Sequence, residues 1–431
     1  MEMNISALCN RVITCSCGHT HFCPIEEAVV CQGALERLPS LTVNYQAIFM
    51  VADDNTWAVC GDRATAFMHG RVQGRLIFQR RGRLVPDERA VEELESALSR
   101  ETDLIIGIGS GVINDICKYV SWKRGIAYGI VATAPSMDGY ASSGAAMIVS
   151  GMKVTYTTHP PRFILADTDV VKNAPMDMIR AGYGDIIGKY SSLNDWKLSH
   201  LVTGEYFCQE IYDLVMEATN HTRDLAERIV ARDGEAIGYL TKALILIGIT
   251  LSLLGSTRPG SGSEHHLSHF FEIVGLLRNE PYFSHGTDVA YSTVVTADIR
   301  ERINTMATPA FHRELAETRL ANFRRIYGRI ADEIIDLQTS SGSYERDLSP
   351  VYREKWPQIQ KLLYECPSAD ECRTMLTRAG YRLDDFVEMY GSQKIHDAMY
   401  YGKDLKNRYS VLWLYYDLFS GMKRSGVGKE A

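Results

Sequence analysis

The segment that decides the fold is DLIIGIGSGVIND, residues 103–115. It predicts a short apolar strand that ends in three alternating glycines, Gly107, Gly109 and Gly111, followed directly by a helix. Glycines lack a Cβ atom, so backbone N–H groups can approach a pyrophosphate, whose charge the helix N-terminus favours. The segment therefore indicates a phosphate cradle. It does not fit the G-x-G-x-x-G fingerprint, and many such turns are only tight connections.

Short apolar runs separated by helical patterns lie on both sides of this turn. The predicted strands cover residues 47–53, 75–79, 103–109, 125–133 and the first part of 162–175, with a helix at 87–98. Strand–helix alternation predicts a doubly wound, mostly parallel sheet that binds ligands at the carboxyl ends of its strands. A second polar turn, TAPSMDGYAS at 133–142, follows the fourth strand. Two such turns at adjacent strand ends favour a nucleotide cleft more strongly than either turn alone.

The strand signals fade after residue 173, and the remaining chain has almost only helical patterns. We therefore predict an α/β, Rossmann-like nucleotide-binding domain at 1–173. An all-helical domain at 174–431 is predicted to bind metal and substrate, with the active site in the cleft between the two domains.

Histidines are concentrated in RPGSGSEHHLSHFFEIVGLLRNEPYFSH, residues 258–285. His265 and His269 are four residues apart and share one face of a predicted helix. Such a pair, joined by a distant third ligand, can form a catalytic metal site with an open position. The alternative is that these histidines are solvated or hydrogen-bonded in a core. Asp185, in a glycine-bracketed apolar helix, also needs a partner, either Lys189 four residues on or a metal.

The N-terminal stretch TCSCGHTHFC, residues 14–23, contains three cysteines and two histidines: Cys15, Cys17, His19, His21 and Cys23. Thiolates and imidazoles at this density suit zinc. The C-x-C spacing differs from that of a zinc knuckle, however, and no second pair follows at finger distance. A short β-hairpin around Gly18 with reduced, unligated cysteines is the other interpretation.

Composition excludes several classes of protein. The net charge of −7 leaves no footprint for nucleic acid or an anionic membrane. Ten cysteines in 431 residues do not form the disulfide framework of a small secreted domain. The most apolar run, residues 243–255, is too short to span a bilayer and predicts a buried helix. Without a visible secretory signal, we expect a cytoplasmic protein that binds neither nucleic acid nor membrane.

Five motifs together carry a family resemblance: GIGSGVINDICKY, TAPSMDGYAS, AGYGD, SGSEHHLSHFFE and SHG, in this order. The chain resembles the superfamily of iron-containing alcohol dehydrogenases and dehydroquinate synthases. Within it, the chain is most similar to the bacterial sn-glycerol-1-phosphate dehydrogenase family, over nearly its whole length. The resemblance implies reduction of dihydroxyacetone phosphate to sn-glycerol 1-phosphate. It also implies NAD(H) or NADP(H), one divalent metal per chain (zinc first, nickel or iron as alternatives) and a homo-oligomer, with a dimer favoured.

The resemblance also assigns residues. Asp185, His265 and His285 match the metal ligands, and Asp185 also counts as a substrate contact. Asp138 and His269 match substrate contacts, and either could relay the proton. The cofactor contacts it implies are Gly111, Val112, Ile113, Asn114, Asp115, Thr133, Ala134, Pro135, Ser136 and Ser142, with Asp53 as acceptor for the adenosine ribose. His266 is expected to point elsewhere.

A phosphorylated substrate also requires cations near its phosphate, and two are available in sequence. Lys189 lies one helical turn beyond Asp185, and Arg258 precedes the turn that opens the histidine helix. Both are candidates for the phosphate. Their alternatives are an exposed ion pair and a solvated loop charge.

Three rival functions remain open. A free-polyol dehydrogenase would share every feature except the phosphate pocket. A dehydroquinate synthase would use the same metal and nucleotide, but that family has Glu at the position of Asp185. A non-catalytic binding protein would be expected to have lost a ligand, and none is lost here.

Overall fold

A computed structural model describes residues 3–79, 82, 84–149 and 152–422. It confirms the fold class, an α/β region with a parallel sheet followed by an all-helical region. The strands are β1 Val12–Thr14, β2 Thr20–Phe22, β3 Glu27–Cys31, β4 Ile48–Asp53, β5 Val72–Phe78, β6 Leu104–Gly109, β7 Ala127–Ala132, β8 Gly144–Val149, β9 Met152–Thr157 and β10 Phe163–Asp167.

The helices begin within the sheet region and continue to the end of the described chain. They are α1 Leu38–Leu41, α2 Asp54–Phe67, α3 Glu88–Ala97, α4 Gly111–Arg124, α5 Thr168–Val171, α6 Met176–Ile187, α7 Lys189–Thr203, α8 Gln209–Asp224, α9 Ala226–Val230, α10 Gly234–Leu254, α11 Ser263–Arg278, α12 His285–Asn304, α13 Ala316–Tyr327, α14 Ala331–Ser341, α15 Ser349–Leu363, α16 Ala369–Arg378, α17 Asp384–Tyr401 and α18 Val411–Phe419.

The main sheet has six parallel strands in the order β3-β10-β7-β6-β4-β5. All five predicted strands are present in it. The edge strand β3 and the antiparallel hairpin β8–β9 were not predicted. Every residue of β4 and β6 is buried, which explains why both strands are continuous apolar runs without alternation.

The direction of the sheet reverses between β4 and β6. The chain moves from β4 outward to the edge strand β5 and then returns to the other side of β4 to form β6. From β6 it continues in the opposite direction through β7 to β10. In doubly wound sheets, ligands bind beyond the carboxyl ends of the strands at such a reversal point. The predicted phosphate turn, which begins at Ser110, therefore follows one of the two strands at this position.

Contacts divide the chain into two compact units. The first comprises residues 1–189, 208–260 and 377–381, and the second comprises 190–207, 261–376 and 382–431. The change from mixed to helical structure comes at α6, close to the predicted boundary at 173, but the first unit also contains α6 and α8–α10. The reason is α10, which packs against α5, α6, α8 and β3.

Helix α10 is the most apolar helix of the first unit. With 21 residues it is long and apolar enough to cross a membrane, yet 78% of its most apolar window is buried inside the protein. A helix that is apolar on all sides and covered by protein is a core helix. The predicted buried helix at 243–255 is thus confirmed, although it begins nine residues earlier, at Gly234.

The second unit is built around a buried ion pair on α7 and α12. Arg300 donates to Asp195 at 2.9 Å, and both side chains are essentially inaccessible. The Asp195 carboxylate also accepts the backbone N–H groups of Ser263, at 2.6 Å, and Val411, at 2.9 Å. Asp195 therefore holds the start of the histidine helix α11 and the start of α18 in place.

Candidate active site

The turn after β6 has the form predicted for a phosphate cradle. Ser110 is in extended conformation and α4 begins at Gly111, so the first N–H groups of that helix have no acceptor within it. A Cβ atom at Gly109 would lie 2.6 Å from Ile113, whereas one at Gly111 would lie 3.4 Å from Met137. Close packing thus requires glycine at 109. At Gly111 the structure leaves ordinary space for a methyl group.

The second polar turn lies beside the first, as predicted. Gly109 and Ala132 are register partners at the ends of β6 and β7, and Thr133 N–H donates to the Gly109 carbonyl at 3.1 Å. The turn then passes against α6, where a Cβ atom at Gly182 would overlap the carbonyl oxygen of Pro135. Thr133–Ser136 is thereby placed next to the helix that carries Asp185. The individual cofactor contacts stay predictions.

Two further predicted cofactor residues, Asp115 and Ser142, border a buried lysine that the sequence analysis missed. Lys118 Nζ donates to the carbonyl oxygens of Gly139 and Gly144, both at 2.9 Å, and lies 3.4 Å from Ser142 Oγ. Burial lowers the pKa of Lys118 to about 8, although Asp115 and Asp138 act in the opposite direction. The i, i+3 spacing of Asp115 and Lys118 on α4 was the available signal.

Asp115, on the same helix, is half-buried. Burial raises its pKa to about 6, and the positive charges of Lys118 and Lys153 only partly offset this effect. Asn114, which lies at 0% exposure, donates to Asp115 at 3.3 Å. The N-terminal turn of α4 therefore holds a carboxyl group that titrates well above its usual range.

The structure gives Asp53 a structural role at the start of α2. Its carboxylate caps α2 by accepting the Thr56 N–H at 2.8 Å, while Thr56 Oγ1 accepts the Asp53 N–H at 3.0 Å. This reciprocal capping box explains why an acid ends β4. A contact between Asp53 and the ribose stays a prediction.

Asp138, Asp185 and Lys189 form one cluster in the first unit. Lys189 Nζ donates to Asp138 Oδ2 at 2.7 Å, to Asp185 Oδ1 at 2.8 Å and to the Gly260 carbonyl at 2.9 Å. The Asp138 N–H in turn donates to Asp185 Oδ2 at 3.0 Å. Burial alone would lower the pKa of Lys189, but the two carboxylates outweigh it and raise the pKa above its ordinary value.

This cluster excludes the alternative interpretation of Lys189 as part of an exposed ion pair. The Lys189 side chain is 0% exposed, and an ammonium group has three donors, all of which point at protein oxygens here. The geometry therefore assigns Lys189 to the neutralisation of two carboxylates. Arg258 is likewise not a solvated loop charge, because only 3% of it is exposed.

Three histidines come together in the second unit. The ring centroids of His265 and His285 are 5.0 Å apart, those of His269 and His285 are 5.5 Å apart, and those of His265 and His269 are 6.2 Å apart. His265 and His269 come from one face of α11, as predicted, and His285 is the first residue of α12. His266 is fully buried.

Glu264 orients His265, a contact that sequence reasoning did not identify although the two residues are adjacent. The Glu264 carboxylate is 2.6 Å from His265 Nδ1 and also accepts the Gly262 N–H at 2.8 Å. Because a carboxylate accepts, Nδ1 carries the hydrogen and the lone pair lies on Nε2. His285 Nδ1 lies 3.4 Å from Ser268 Oγ.

These residues fit a divalent metal. A histidine that donates its second N–H to a carboxylate is the usual arrangement of a metal-binding imidazole, and Glu264 supplies that carboxylate to His265. The imidazoles of His265 and His285 are donors that suit zinc, nickel or iron.

Comparison with known proteins shows the family to which the chain belongs. The family model described as iron-containing alcohol dehydrogenase matches residues 29–175. A glycerol-1-phosphate dehydrogenase (NAD(P)+) of Halalkalibacterium halodurans is 34% identical over 304 residues, which are 68% of this chain and 76% of that protein. The chain belongs to the glycerol-1-phosphate dehydrogenase family. A second member, from Geobacillus stearothermophilus, is 29% identical over 387 residues, 88% of this chain and 89% of that protein.

Solved structures confirm the fold expected of a glycerol-1-phosphate dehydrogenase family member. An archaeal alcohol dehydrogenase from a Red Sea brine pool matches 92% of this chain and 97% of its own, with TM-score 0.60 at 12% identity. A glycerol dehydrogenase from Schizosaccharomyces pombe matches 93% of each chain, with TM-score 0.53 at 18% identity. The chain is thus an oxidoreductase of a family that is NAD(P)-linked and metal-dependent, with a small-molecule substrate.

Proposed function

We propose that the chain reduces dihydroxyacetone phosphate reversibly to sn-glycerol 1-phosphate, with one divalent metal held by Asp185, His265 and His285. Family membership supports the reaction, since the relatives are named glycerol-1-phosphate dehydrogenases. The observation that best supports the proposed metal site is the contact between Glu264 and His265 beside the His285 ring. It prepares an imidazole lone pair for a cation.

The chemistry divides between the bound groups and the chain. When bound, the metal supplies Lewis acidity toward the substrate oxygens, and the reduced nicotinamide supplies the hydride. The chain orients the side chains that bind the metal. Glu264 fixes the tautomer of His265, and Lys189 keeps Asp138 and Asp185 together by balancing their charges.

For the proton, the hydrogen bonds favour His269 over Asp138. Asp138 Oδ2 accepts a charge-assisted hydrogen bond from Lys189, so this carboxylate is suited to accept and orient a substrate hydroxyl. An imidazole can release a proton near neutral pH. We infer that the His269 ring delivers the proton to the substrate's carbonyl oxygen during reduction, while Asp138 positions the neighbouring hydroxyl.

For the substrate phosphate, Arg258 is the better of the two predicted cations. All three donors of Lys189 already have acceptors in the protein. Arg258 is a buried guanidinium, whose planar fork matches the oxygens of a phosphate. We therefore assign the phosphate contact to Arg258 and a charge-balancing role to Lys189.

Further properties belong to the same proposal. We infer a cytoplasmic location, which is supported by the lack of a disulfide among the ten cysteines, all within the described residues. Zinc is the first candidate for the active-site metal, with nickel and iron as alternatives. NADH is the preferred cofactor if Asp53 does contact the ribose, because an acid there would repel the additional phosphate of NADPH. A homodimer stays a prediction that light scattering can test.

A ketone panel tests the proposal. The enzyme is assayed with NADH or NADPH on dihydroxyacetone phosphate and on dihydroxyacetone, and kcat/KM is compared. We expect the phosphorylated ketone to be reduced far more efficiently. Comparable efficiency on both ketones would exclude the glycerol-phosphate assignment and support a free-polyol dehydrogenase of the same superfamily.

A further inference from the structure

The N-terminal hairpin belongs to a second cluster of metal-binding side chains. Cys15, Cys17, His21 and Cys208, named the thiol cluster below, each offer one ligand atom, and these four atoms lie within 4.8 Å of one another. Three of the residues come from the stretch in which the sequence left zinc and an unligated hairpin as alternatives. The fourth, Cys208, lies 193 positions after Cys15 and immediately precedes α8.

The hairpin explains which residues of the stretch enter the cluster. β1 and β2 pair antiparallel, and the turn between them includes Gly18 with a positive φ of 84°. Along β2, the exposures of Thr20, His21 and Phe22 alternate, with only His21 directed inward. His19 is exposed, and Cys23, although buried, lies outside the cluster.

The spacing within the thiol cluster is that of tetrahedral coordination. Cys15 Sγ and Cys208 Sγ are 3.5 Å apart, Cys17 Sγ is 3.4 Å from His21 Nε2, and Cys208 Sγ is 3.8 Å from the same nitrogen. With bonds of about 2.3 Å to sulfur and about 2.0 Å to nitrogen, a tetrahedral zinc places two sulfurs about 3.8 Å apart and a sulfur and nitrogen about 3.5 Å apart. A disulfide would require about 2.05 Å between the sulfurs.

Hydrogen bonds around the thiol cluster orient His21 and fix the turn of the hairpin. His21 Nδ1 is 3.0 Å from the Leu253 carbonyl oxygen, which can only accept, so the lone pair is on Nε2, toward the sulfurs. The Ser16 N–H donates to Glu210 Oε1 at 3.0 Å, which ties the turn to α8. Cys208 is the N-cap residue of that helix.

We propose that the thiol cluster binds one zinc ion in a closed, structural site. Three thiolates and one imidazole complete a four-coordinate shell and leave no position for a substrate. The ion would connect the hairpin to the start of α8 and, through His21, to the end of α10. Two strands of three residues each are too short to hold such a hairpin alone. The purified enzyme therefore carries two metal ions per chain, one in each site.

Metal analysis of the full-length enzyme tests this proposal. Zinc and other metals are counted per chain in the wild type, in Cys17→Ser and in the matched control Cys23→Ser, which alters a buried cysteine outside the cluster. We expect two ions per chain in the wild type and the control, but one in Cys17→Ser, with a lower Tm. In His285→Ala the remaining ion should show sulfur ligands by X-ray absorption, which separates this proposal from that of the active-site metal.

Two results would overturn the proposal. One is zinc without sulfur ligands in the wild-type X-ray absorption spectrum, a measurement that does not depend on whether Cys17→Ser folds. The other is a disulfide between Cys15 and Cys208, detected by mass spectrometry after thiol blocking under non-reducing conditions.

Discussion

The thiol cluster and the three proposed active-site ligands use different donors for different purposes. The thiol cluster has three sulfurs and one imidazole, whereas Asp185, His265 and His285 offer one carboxylate and two imidazoles. Four protein donors complete a tetrahedral shell and hold structure, while three leave a position open for substrate. The type and number of donors therefore separate a structural from a catalytic role more clearly than burial does, since both sets are largely buried.

The largest effect is expected from His265→Ala. Loss of a metal ligand removes the Lewis acid, worth several kcal/mol of transition-state stabilisation, so kcat/KM should fall by about 10³-fold or more. Metal content should fall by one ion per chain, and the remaining ion should have sulfur ligands.

The neighbouring histidine is the control for this variant. His266 is fully buried, so His266→Ala leaves a cavity and lowers Tm, but folded enzyme should retain its metal. If His266→Ala loses the metal and His265→Ala keeps it, the assigned ligand on α11 is wrong.

Arg258→Ala tests whether the open position serves a phosphorylated substrate. A lost charge-assisted hydrogen bond costs about 1.5–3 kcal/mol, so the preference for dihydroxyacetone phosphate over dihydroxyacetone should fall by about 10- to 100-fold. Lys189→Ala was predicted from sequence to act in the same way. The structure instead predicts general destabilisation, because that change leaves the buried carboxylate of Asp185 and the half-buried one of Asp138 uncompensated. An unchanged preference in Arg258→Ala would place the phosphate pocket elsewhere.

Glu264→Gln tests how the metal-binding histidines of the two sites are oriented. The thiol cluster orients His21 with a backbone carbonyl, which no substitution can remove, whereas His265 depends on a side chain. Loss of such a partner typically lowers metal affinity by about 10- to 100-fold. Competition with a chelator should show this loss at the active site only. Equal loss of both ions would contradict separate sites.

The smallest effect concerns the half-buried carboxyl group of Asp115, which lies outside both ligand sets. Burial raises the pKa of Asp115 to about 6, so the folded state binds a proton that the unfolded state releases near pH 4. Its stabilising contribution is thus complete below about pH 4 and is lost as the pH rises to about 6, a change of about 2–3 kcal/mol. Denaturant unfolding at several pH values should show this dependence in the wild type and not in Asp115→Asn.

The strands of the sheet and the histidine helix could be predicted because their signals are local. Buried parallel strands are continuous apolar runs, and His265 and His269 share a helix face because of their spacing. The edge strand β3 and the hairpin β8–β9 were missed. β3 spans only five residues, and its burial alternates instead of forming a continuous apolar run.

The sequence by itself determined the donor types: thiols and imidazoles at the N-terminus, and imidazoles and carboxylates later in the chain. Only the tertiary structure decided which donors meet. Cys208 joins Cys15 across 193 positions, and Lys189 became a buried counter-charge because Asp138, 51 positions away, faces the same ammonium group. Local patterns encode the face on which a side chain lies. Which distant side chain it contacts depends on the packing of the whole core. Local sequence periodicity contains no information about that packing.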